Sequence, residues 1–403
     1  MAAITAGVVA EGAYHPGAQR VVALLVGAAV VLDLSSRPRP ISGRLRGLES
    51  AAGLLAAWAL LTSTLTGRPA RAVPVVALLA GVVGLARVSS RTTPGQRRAF
   101  AAVLVAVGVA VALTGWVGVA FRLRPWAEVH DGLWRAATTL TYANAAGAVL
   151  VPLALVALAI AATARCTALD AAATVLLAGV GATLSRGAVL ALAAGFVVLA
   201  VALGTASALR AIAPVVCGAL VALAGLAPSM GAAASPRPAM ALSALGAGVG
   251  LAVVLGRART LLPCALVAGG VIVAATVTGA PSSVAGRFAI DSPDRVAAAK
   301  ATLAHLRARP VTGVGPGGAT PVWIDTAGRT VVGHYAHNEY LQVTTELGLI
   351  GGGLVIAFMM AGGAVVRHGR PSLPTDPAFP VWAGAASGLV ALVTHSGFDF
   401  LWH

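Results

Sequence analysis

The sequence has few charged residues, fewer acidic than basic ones, and almost no lysine. Charged residues make up 10% of the 403 residues, with 13 acidic against 28 basic side chains, and Lys300 is the one lysine. Hydrophobic residues make up 58% and the mean hydropathy is +0.89, in repeated apolar runs of membrane-spanning length. This composition excludes a typical soluble domain and indicates a helical protein that crosses the membrane several times.

Cysteines and clustered acids are also scarce. The three cysteines, Cys166, Cys217 and Cys264, lie in or beside separate apolar runs, so the sequence predicts neither a disulfide framework nor a cysteine metal site. The acidic residues lack the close spacing of an oxygen-ligand site, and we expect no metal and no cofactor. They are scattered along the outer segments at Glu128, Asp131, Asp291, Asp294 and Asp325.

Arginine supplies nearly all of the net charge of +15. These arginines are spread over short connections between apolar runs and form no stripe interleaved with aromatic residues, so no nucleic-acid partner is expected. In such connections, basic residues set the orientation of a membrane protein and contact anionic lipid.

The apolar runs predict an all-α polytopic bundle of about twelve spans, which we treat as one integral membrane domain over 1–403. Residues 2–10 are too short to span and have no basic segment before them, so a cleaved signal peptide is not expected. An additional helix at either end of the chain is left open. The predicted spans lie near 20–35, 48–67, 72–88, 97–121, 140–163, 168–184, 187–204, 209–227, 238–256, 260–279, 339–366 and 378–400.

The distribution of arginine predicts the orientation. Arginines collect in connections such as 36–47, 89–98 and 367–377, which are therefore expected to be cytoplasmic. The longest polar segment, 280–338, then lies outside, and we expect a multi-pass membrane protein with its site on the outer face.

The segment 280–338 has internal structure of its own. Ser292, Pro293 and Asp294 are start residues for a short helix over 292–309, which is amphipathic and suited to a membrane surface. The following glycine-rich stretch 310–318 is either a backbone nest for an anion or a plain turn, and the residues leave both open.

Four stretches together resemble the O-antigen ligase and polysaccharide polymerase family, of the Wzy C-terminal domain type. They are LTYANAAGAVL (140–150), SRGAVLALAAG (185–195), DRVAAAKATLAHLRARPVTGVGPGG (294–318) and AHNEYLQVTTELGLIG (336–351), and the last two, in this order, are the specific part. The resemblance implies transfer of a glycan from a polyprenyl (undecaprenyl) diphosphate carrier to an acceptor hydroxyl on the outer face of a bacterial cytoplasmic membrane. The implied partners are that lipid-linked donor, a glycan, lipid or protein acceptor, and membrane lipids.

Such a transfer needs cations for the diphosphate, and arginine holds phosphate oxygens through paired hydrogen bonds. Arg186, in a short turn between apolar runs, and Arg295, which matches the loop arginine of the family, are the two candidates. Arg135 is a weaker third candidate, and Tyr142 and Asn144 after it are candidate substrate-binding residues. Helix-end anchoring is the alternative for each arginine.

The transfer also needs a group that takes the acceptor proton. Histidine titrates near neutral pH, and His337, beside Asn338 at the start of a predicted span, is the candidate base or electrostatic stabiliser. Asn338 is a further candidate substrate-binding residue. His395 and Asp399 are spaced i, i+4, which predicts one helix face on which the carboxylate orients the imidazole, either as part of the site or as a buried polar contact.

Two other classes of function stay open. A transporter of a small anionic solute needs polar residues at mid-bilayer on several helices, whereas here they collect at one face. A non-catalytic scaffold of an envelope assembly is the third hypothesis. Ligase and polymerase cannot be separated from these residues, since both use the same donor and differ in the acceptor.

Overall fold

The protein folds mainly into helices, in agreement with the predicted all-α class. The structure, a computed structural model, describes residues 25–28, 31, 43–164, 166–258, 260–277, 293–325, 328–333 and 335–399. The long helices up to the glycine-rich loop are α1 (Gly43–Leu65), α2 (Val73–Arg91), α3 (Pro94–Phe121), α4 (Ala143–Ala164), α5 (Thr167–Ala182), α6 (Arg186–Leu203), α7 (Thr205–Met230), α8 (Pro238–Ala258), α9 (Leu261–Val277) and α10 (Pro293–Ala308). They are followed by α11 (Glu339–His368) and α12 (Phe379–Ser396).

Within the described ranges, eight helical segments are long and apolar enough to cross a membrane, so the predicted count of twelve spans is not confirmed. Helices α5 and α9 are apolar but shorter, and α12 does not belong to the eight. The first predicted span, 20–35, lies largely outside the described residues. The eight segments are Leu45–Leu65, Pro69–Arg91, Pro94–Phe121, Ala143–Ala164, Arg186–Leu203, Thr205–Met230, Pro238–Ala258 and Glu339–His368.

The main core lies where α3 to α8 and α12 pack together, and a smaller apolar cluster joins α1, α2 and α11. Helices α7 and α8 approach each other closely, because small residues face each other between them. A Cβ on Gly218 would lie 2.3 Å from the carbonyl oxygen of Gly248, so neither position accepts a side chain. Such contacts between small residues allow membrane helices to pack closely.

Two short antiparallel hairpins interrupt the helical pattern. Strands β1 (Ala127–His130) and β2 (Leu133–Ala136) form the first, and β3 (Val322–Ile324) and β4 (Thr330–Val332) form the second. The first hairpin turns at Asp131 and Gly132, which both have positive φ. This dipeptide is typical of a type I′ turn, whose twist matches that of the strands.

Helix α10 confirms the helix predicted over 292–309, but its buried face packs on the protein, whereas the sequence suggested a membrane surface. Ala298 and Thr302 are fully buried and Leu306 nearly so, at i, i+4 spacing, whereas Val296 is 54% exposed. The helix packs on α11 and β3, so its buried face lies against the protein.

Helix α11 is broken near its start. Gly348 has φ 71° and ψ −179°, a conformation that is open almost only to glycine. The freed carbonyl of Leu347 accepts a hydrogen bond from Trp58 Nε1 of α1 at 2.7 Å. Such replacement partners allow a helix to break within a membrane protein.

Candidate functional site

The site lies at one end of the bundle, where the connections before α4, α6 and α11 meet the end of α12. His337 Nδ1 lies 3.2 Å from Asp399 Oδ1. The Asp399 side chain is 2% exposed and the His337 side chain 33%. An ionised carboxylate only accepts hydrogen bonds, so this contact requires the hydrogen on Nδ1, and the neutral form of the ring then has its lone pair on Nε2.

Two further side chains, at the start of α4, donate hydrogen bonds to Asp399. Tyr142 donates its hydroxyl hydrogen to Asp399 Oδ2 at 2.7 Å, and Asn144 Nδ2 donates to the same oxygen. Asn144 Nδ2 also donates to the Tyr142 hydroxyl oxygen at 2.9 Å. Tyr142, Asn144 and Asp399, all predicted as site residues, thus share hydrogen bonds. The Asp399 carboxylate connects the other two residues to His337.

The environment keeps Asp399 ionised. Burial opposes ionisation, but the hydrogen bonds from His337 and Tyr142 and the charge of Arg295 outweigh it and hold the pKa of Asp399 below its usual value. Burial and the charge of Asp399 raise the pKa of Tyr142, so the phenol keeps its proton and acts as a donor. The site therefore holds a fixed negative charge beside the imidazole.

Arg135 is buried beside Asn144, between the first hairpin and the connection from α5 to α6. It is 6% exposed and donates through Nε to the Thr183 carbonyl oxygen at 2.8 Å and through Nη2 to Asn144 Oδ1 at 2.9 Å. Its Nη1 lies 3.7 Å from Glu128 Oε1 of β1. The guanidinium is therefore enclosed by protein groups and does not face an open surface.

Arg295, near the start of α10, lies at the same end of the bundle. Its Nη1 donates to the Phe398 carbonyl oxygen at 3.0 Å, and its charge acts on Tyr142 and Asp399. Arg186 is half-buried as the first residue of α6, after the N-cap Ser185. The next residue, Gly187, adjoins Phe398, since an added Cβ there would lie 3.3 Å from Phe398 Cβ. Both arginines therefore lie close to the segment that carries Asp399.

Asn338 has a structural role in this conformation. Its Oδ1 accepts the Leu341 amide at 2.9 Å and so caps α11, and its Nδ2 donates to the Gly397 carbonyl oxygen at 2.9 Å. The side chain thereby ties the start of α11 to the end of α12, and its contact with substrate stays a prediction.

The predicted pairing of His395 with Asp399 does not occur. Helix α12 ends at Ser396, so the i, i+4 geometry is lost before Asp399 is reached. The carboxylate turns to His337 instead. His395 is fully buried, and neither ring nitrogen has a hydrogen-bond partner among the described residues.

The glycine-rich stretch 310–318 packs against the break in α11. The amides of Val314 and Gly315 donate to the carbonyl oxygens of Thr345 and Glu346, and the Leu349 amide donates to Pro310. Because these loop amides are already paired with backbone oxygens, they do not form an anion nest, and the turn interpretation fits. His334, to which no role was assigned, lies outside the described residues.

The first hairpin is the part of the site that sequence reasoning missed. No strand was predicted between the spans 97–121 and 140–163, but β1 and β2 supply Glu128 and Arg135 as a cross-strand pair. Glu128 Oε1 also accepts the Ala143 amide at the start of α4. The Asp131-Gly132 dipeptide between alternating residues was the available signal for this hairpin.

These features define a membrane protein with a polar, partly buried site at the ends of its helices. Residues 226–356, about one third of the chain, match the family model described as O-antigen ligase (Wzy_C). The resemblance inferred from sequence is thereby confirmed over this segment. No curated protein and no solved structure matches the chain.

The matched segment contains Arg295 and His337 but not the stretches 140–150 and 185–195. It runs from the end of α7 through the break in α11, and so includes α10, the second hairpin and the glycine-rich loop. The apolar helices indicate a multi-pass membrane protein, and the matched segment is similar to the O-antigen ligase family.

Proposed function

We propose that the protein transfers a glycan from a polyprenyl diphosphate carrier to an acceptor hydroxyl at the outer face of the cytoplasmic membrane. The observation that carries the proposal is the His337 and Asp399 contact, in which a partly exposed imidazole is oriented by a buried carboxylate. A base oriented by a third group is the arrangement that general-base catalysis requires. The family match supports the substrate class in general terms.

In the proposed reaction, the acceptor hydroxyl gives its proton to His337 Nε2. The acceptor oxygen forms a bond to the anomeric carbon of the glycan, and the bond from that carbon to the diphosphate oxygen breaks. The diphosphate leaves with the electron pair and stays on the carrier lipid. Asp399 stabilises the imidazolium that forms, as the carboxylate does in other histidine-dependent sites.

The leaving diphosphate needs positive charge close to the His337 site. Arg295 uses one η-nitrogen on the Phe398 carbonyl, and the part of the chain that the structure describes holds no other hydrogen bond of this side chain. Its remaining N–H groups are therefore suited to phosphate oxygens. We assign Arg186 the second cation position, and in this proposal the two arginines take the place of a metal ion.

The position of the polar groups favours this function over solute transport. The network joins residues that precede α4 and α11, follow α12 and connect α5 to α6, so it lies at helix ends. A lipid-linked donor presents its diphosphate at this depth, with its prenyl chain among the helices. Ligase and polymerase differ in the acceptor. These residues do not define the acceptor contacts, so they do not separate the two activities.

The test uses the purified protein in lipid nanodiscs with a polyprenyl diphosphate-linked oligosaccharide, candidate acceptors and EDTA. Carrier release and product length are measured for the unmodified protein, for His337→Ala and for His130→Ala, which changes an exposed histidine in the β1–β2 turn. We expect His337→Ala to lower the transfer rate by about 10²- to 10⁴-fold, as loss of a general base does, and His130→Ala to keep it.

Two outcomes would overturn the proposal. One is the absence of carrier release by the unmodified protein with every acceptor. The other is full activity of His337→Ala, which would remove the base from the reaction. Equal losses in both histidine variants would point to a general loss of folded protein, which is checked by measuring the amount of monodisperse protein in each preparation.

A further inference from the structure

Arg135 can orient the Asn144 amide because a guanidinium is only a donor. An arginine offers five N–H groups and no acceptor, so only the Oδ1 atom of the amide can face it. In the structure Arg135 Nη2 donates to Asn144 Oδ1 at 2.9 Å, and this places Nδ2 on the opposite side, toward Asp399 and Tyr142. With the amide reversed, Oδ1 would face the Asp399 carboxylate. Both groups are acceptors, so no hydrogen bond could form between them.

Arg135 is itself held in place by the surrounding backbone and the first hairpin. Its Nε is bound to the Thr183 carbonyl at 2.8 Å, and Glu128 of the paired strand lies 3.7 Å from Nη1. At 6% exposure the side chain has little surface to offer to a ligand. Its fixed contacts thus run from the hairpin through Asn144 to Asp399.

We propose that Arg135 is a positioning residue, which locks the Asn144 amide so that Nδ2 donates to Asp399 and holds this carboxylate against His337. The inference rests on the proposed function, because the rate of transfer is its readout. In this proposal Arg135 supports the base, His337, and is no longer a cation for the diphosphate. Removing Arg135 then leaves donor binding unchanged and slows the transfer step.

The test is a double-mutant cycle with Arg135→Met, which removes every donor at similar length, and Asn144→Ala. We expect Arg135→Met alone to lower kcat by about 10-fold or more, with KM for the lipid-linked donor unchanged. In the Asn144→Ala background the same change should alter kcat by less than about 2-fold, because the group through which Arg135 acts is gone. Arg135→Lys, which can still donate to Asn144 Oδ1, should restore part of the loss.

Arg122→Met is the matched control. Arg122 is another arginine at this end of the bundle, and it donates to the backbone carbonyls of Ser229, Gly231 and Ala232 without contact to the network. We expect this variant to lower the amount of folded protein while the purified protein keeps its kcat. If Arg135→Met does not fold, Arg135→Lys replaces it in both backgrounds of the cycle.

The outcomes separate this inference from the proposed function. An active unmodified protein in which Arg135→Met lowers kcat equally in both backgrounds would overturn the positioning role alone. A raised donor KM with unchanged kcat would also overturn it, since that result marks a substrate contact. An unmodified protein that makes no product would overturn the proposed function, and the inference would fall with it.

Discussion

His337 has an unusual backbone conformation that fits its proposed role as a base. Its φ is 51°, in the left-handed region, which histidine enters more readily than most residues. The next residue, Asn338, caps α11, so the imidazole is fixed immediately before a helix and opposite Asp399. Local strain of this kind is common where a side chain must point away from its helix.

At the residue scale, Asp399→Asn should slow transfer while keeping the shape of the side chain. The neutral amide cannot stabilise an imidazolium, and the comparable change beside a catalytic histidine in a serine protease costs about 10⁴ in kcat. Asp376→Asn, at the far end of α12, is the matched control. Carrier release at saturating donor measures both variants, and equal rates for Asp399→Asn and the unmodified protein would contradict the role of the carboxylate.

The lowered pKa of Asp399 decides which group can cause a loss of activity at acid pH. A carboxylate with a depressed folded pKa contributes stability above its unfolded pKa of about 3.9 and loses it as the pH falls through the folded value. Between pH 5 and 8 this contribution is therefore constant. A loss of activity in that range belongs to another group.

At the element scale, the break in α11 connects the site to α1 and the glycine-rich loop. Trp58 of α1 binds the freed Leu347 carbonyl, while Pro310 and Gly315 of the loop bind backbone groups on both sides of Gly348. The first part of α11, which follows His337 and Asn338, is thereby held by two separate segments, α1 and the glycine-rich loop. The break fixes the direction in which this part leaves the bundle.

The corresponding prediction concerns Gly348→Ala. An added Cβ would lie 2.0 Å from the Val311 carbonyl oxygen, in a φ and ψ region that alanine avoids. We expect little folded protein in the membrane, measured by fluorescence-detected gel filtration after extraction. Gly353→Ala, in the same helix with no atom within 4 Å of the added Cβ, should fold normally. Equal yields of both variants would contradict the structural need for the break.

At the scale of the whole molecule, the site end and the arginine-rich end lie at opposite ends of α11. The thirty-residue helix runs from Glu339, beside the network, to His368, next to the connection with Arg367 and Arg370. From the positive-inside rule we therefore predict that the network lies on the outer side.

This orientation is tested with single cysteines in a background whose native cysteines are replaced. Thr330→Cys lies in the exposed second hairpin and Ser372→Cys in the exposed connection after α11. On intact cells, an impermeant thiol reagent should label Thr330→Cys and should label Ser372→Cys only after permeabilisation. The reverse pattern would place the network in the cytoplasm, where an outer-face transfer is impossible.

The sequence by itself determined the class of the protein and the approximate positions of most helices. Long apolar runs have one stable solution in a bilayer, because every backbone group must be satisfied within the segment, and so their length alone marks them as helices. Polar groups are costly near a membrane, and this singled out His337 and Asp399. The family resemblance added Arg295, Tyr142 and Asn144.

Only the tertiary structure decided which of these residues meet. Spacing predicted His395 as the partner of Asp399, but the end of α12 at Ser396 lets the carboxylate turn to His337, which lies 62 residues away in the chain. The enclosure of Arg135 likewise depends on Thr183 and Glu128, which come from other elements. Hydrogen bonds between distant segments follow from the packing of whole helices, and local periodicity carries no information about them.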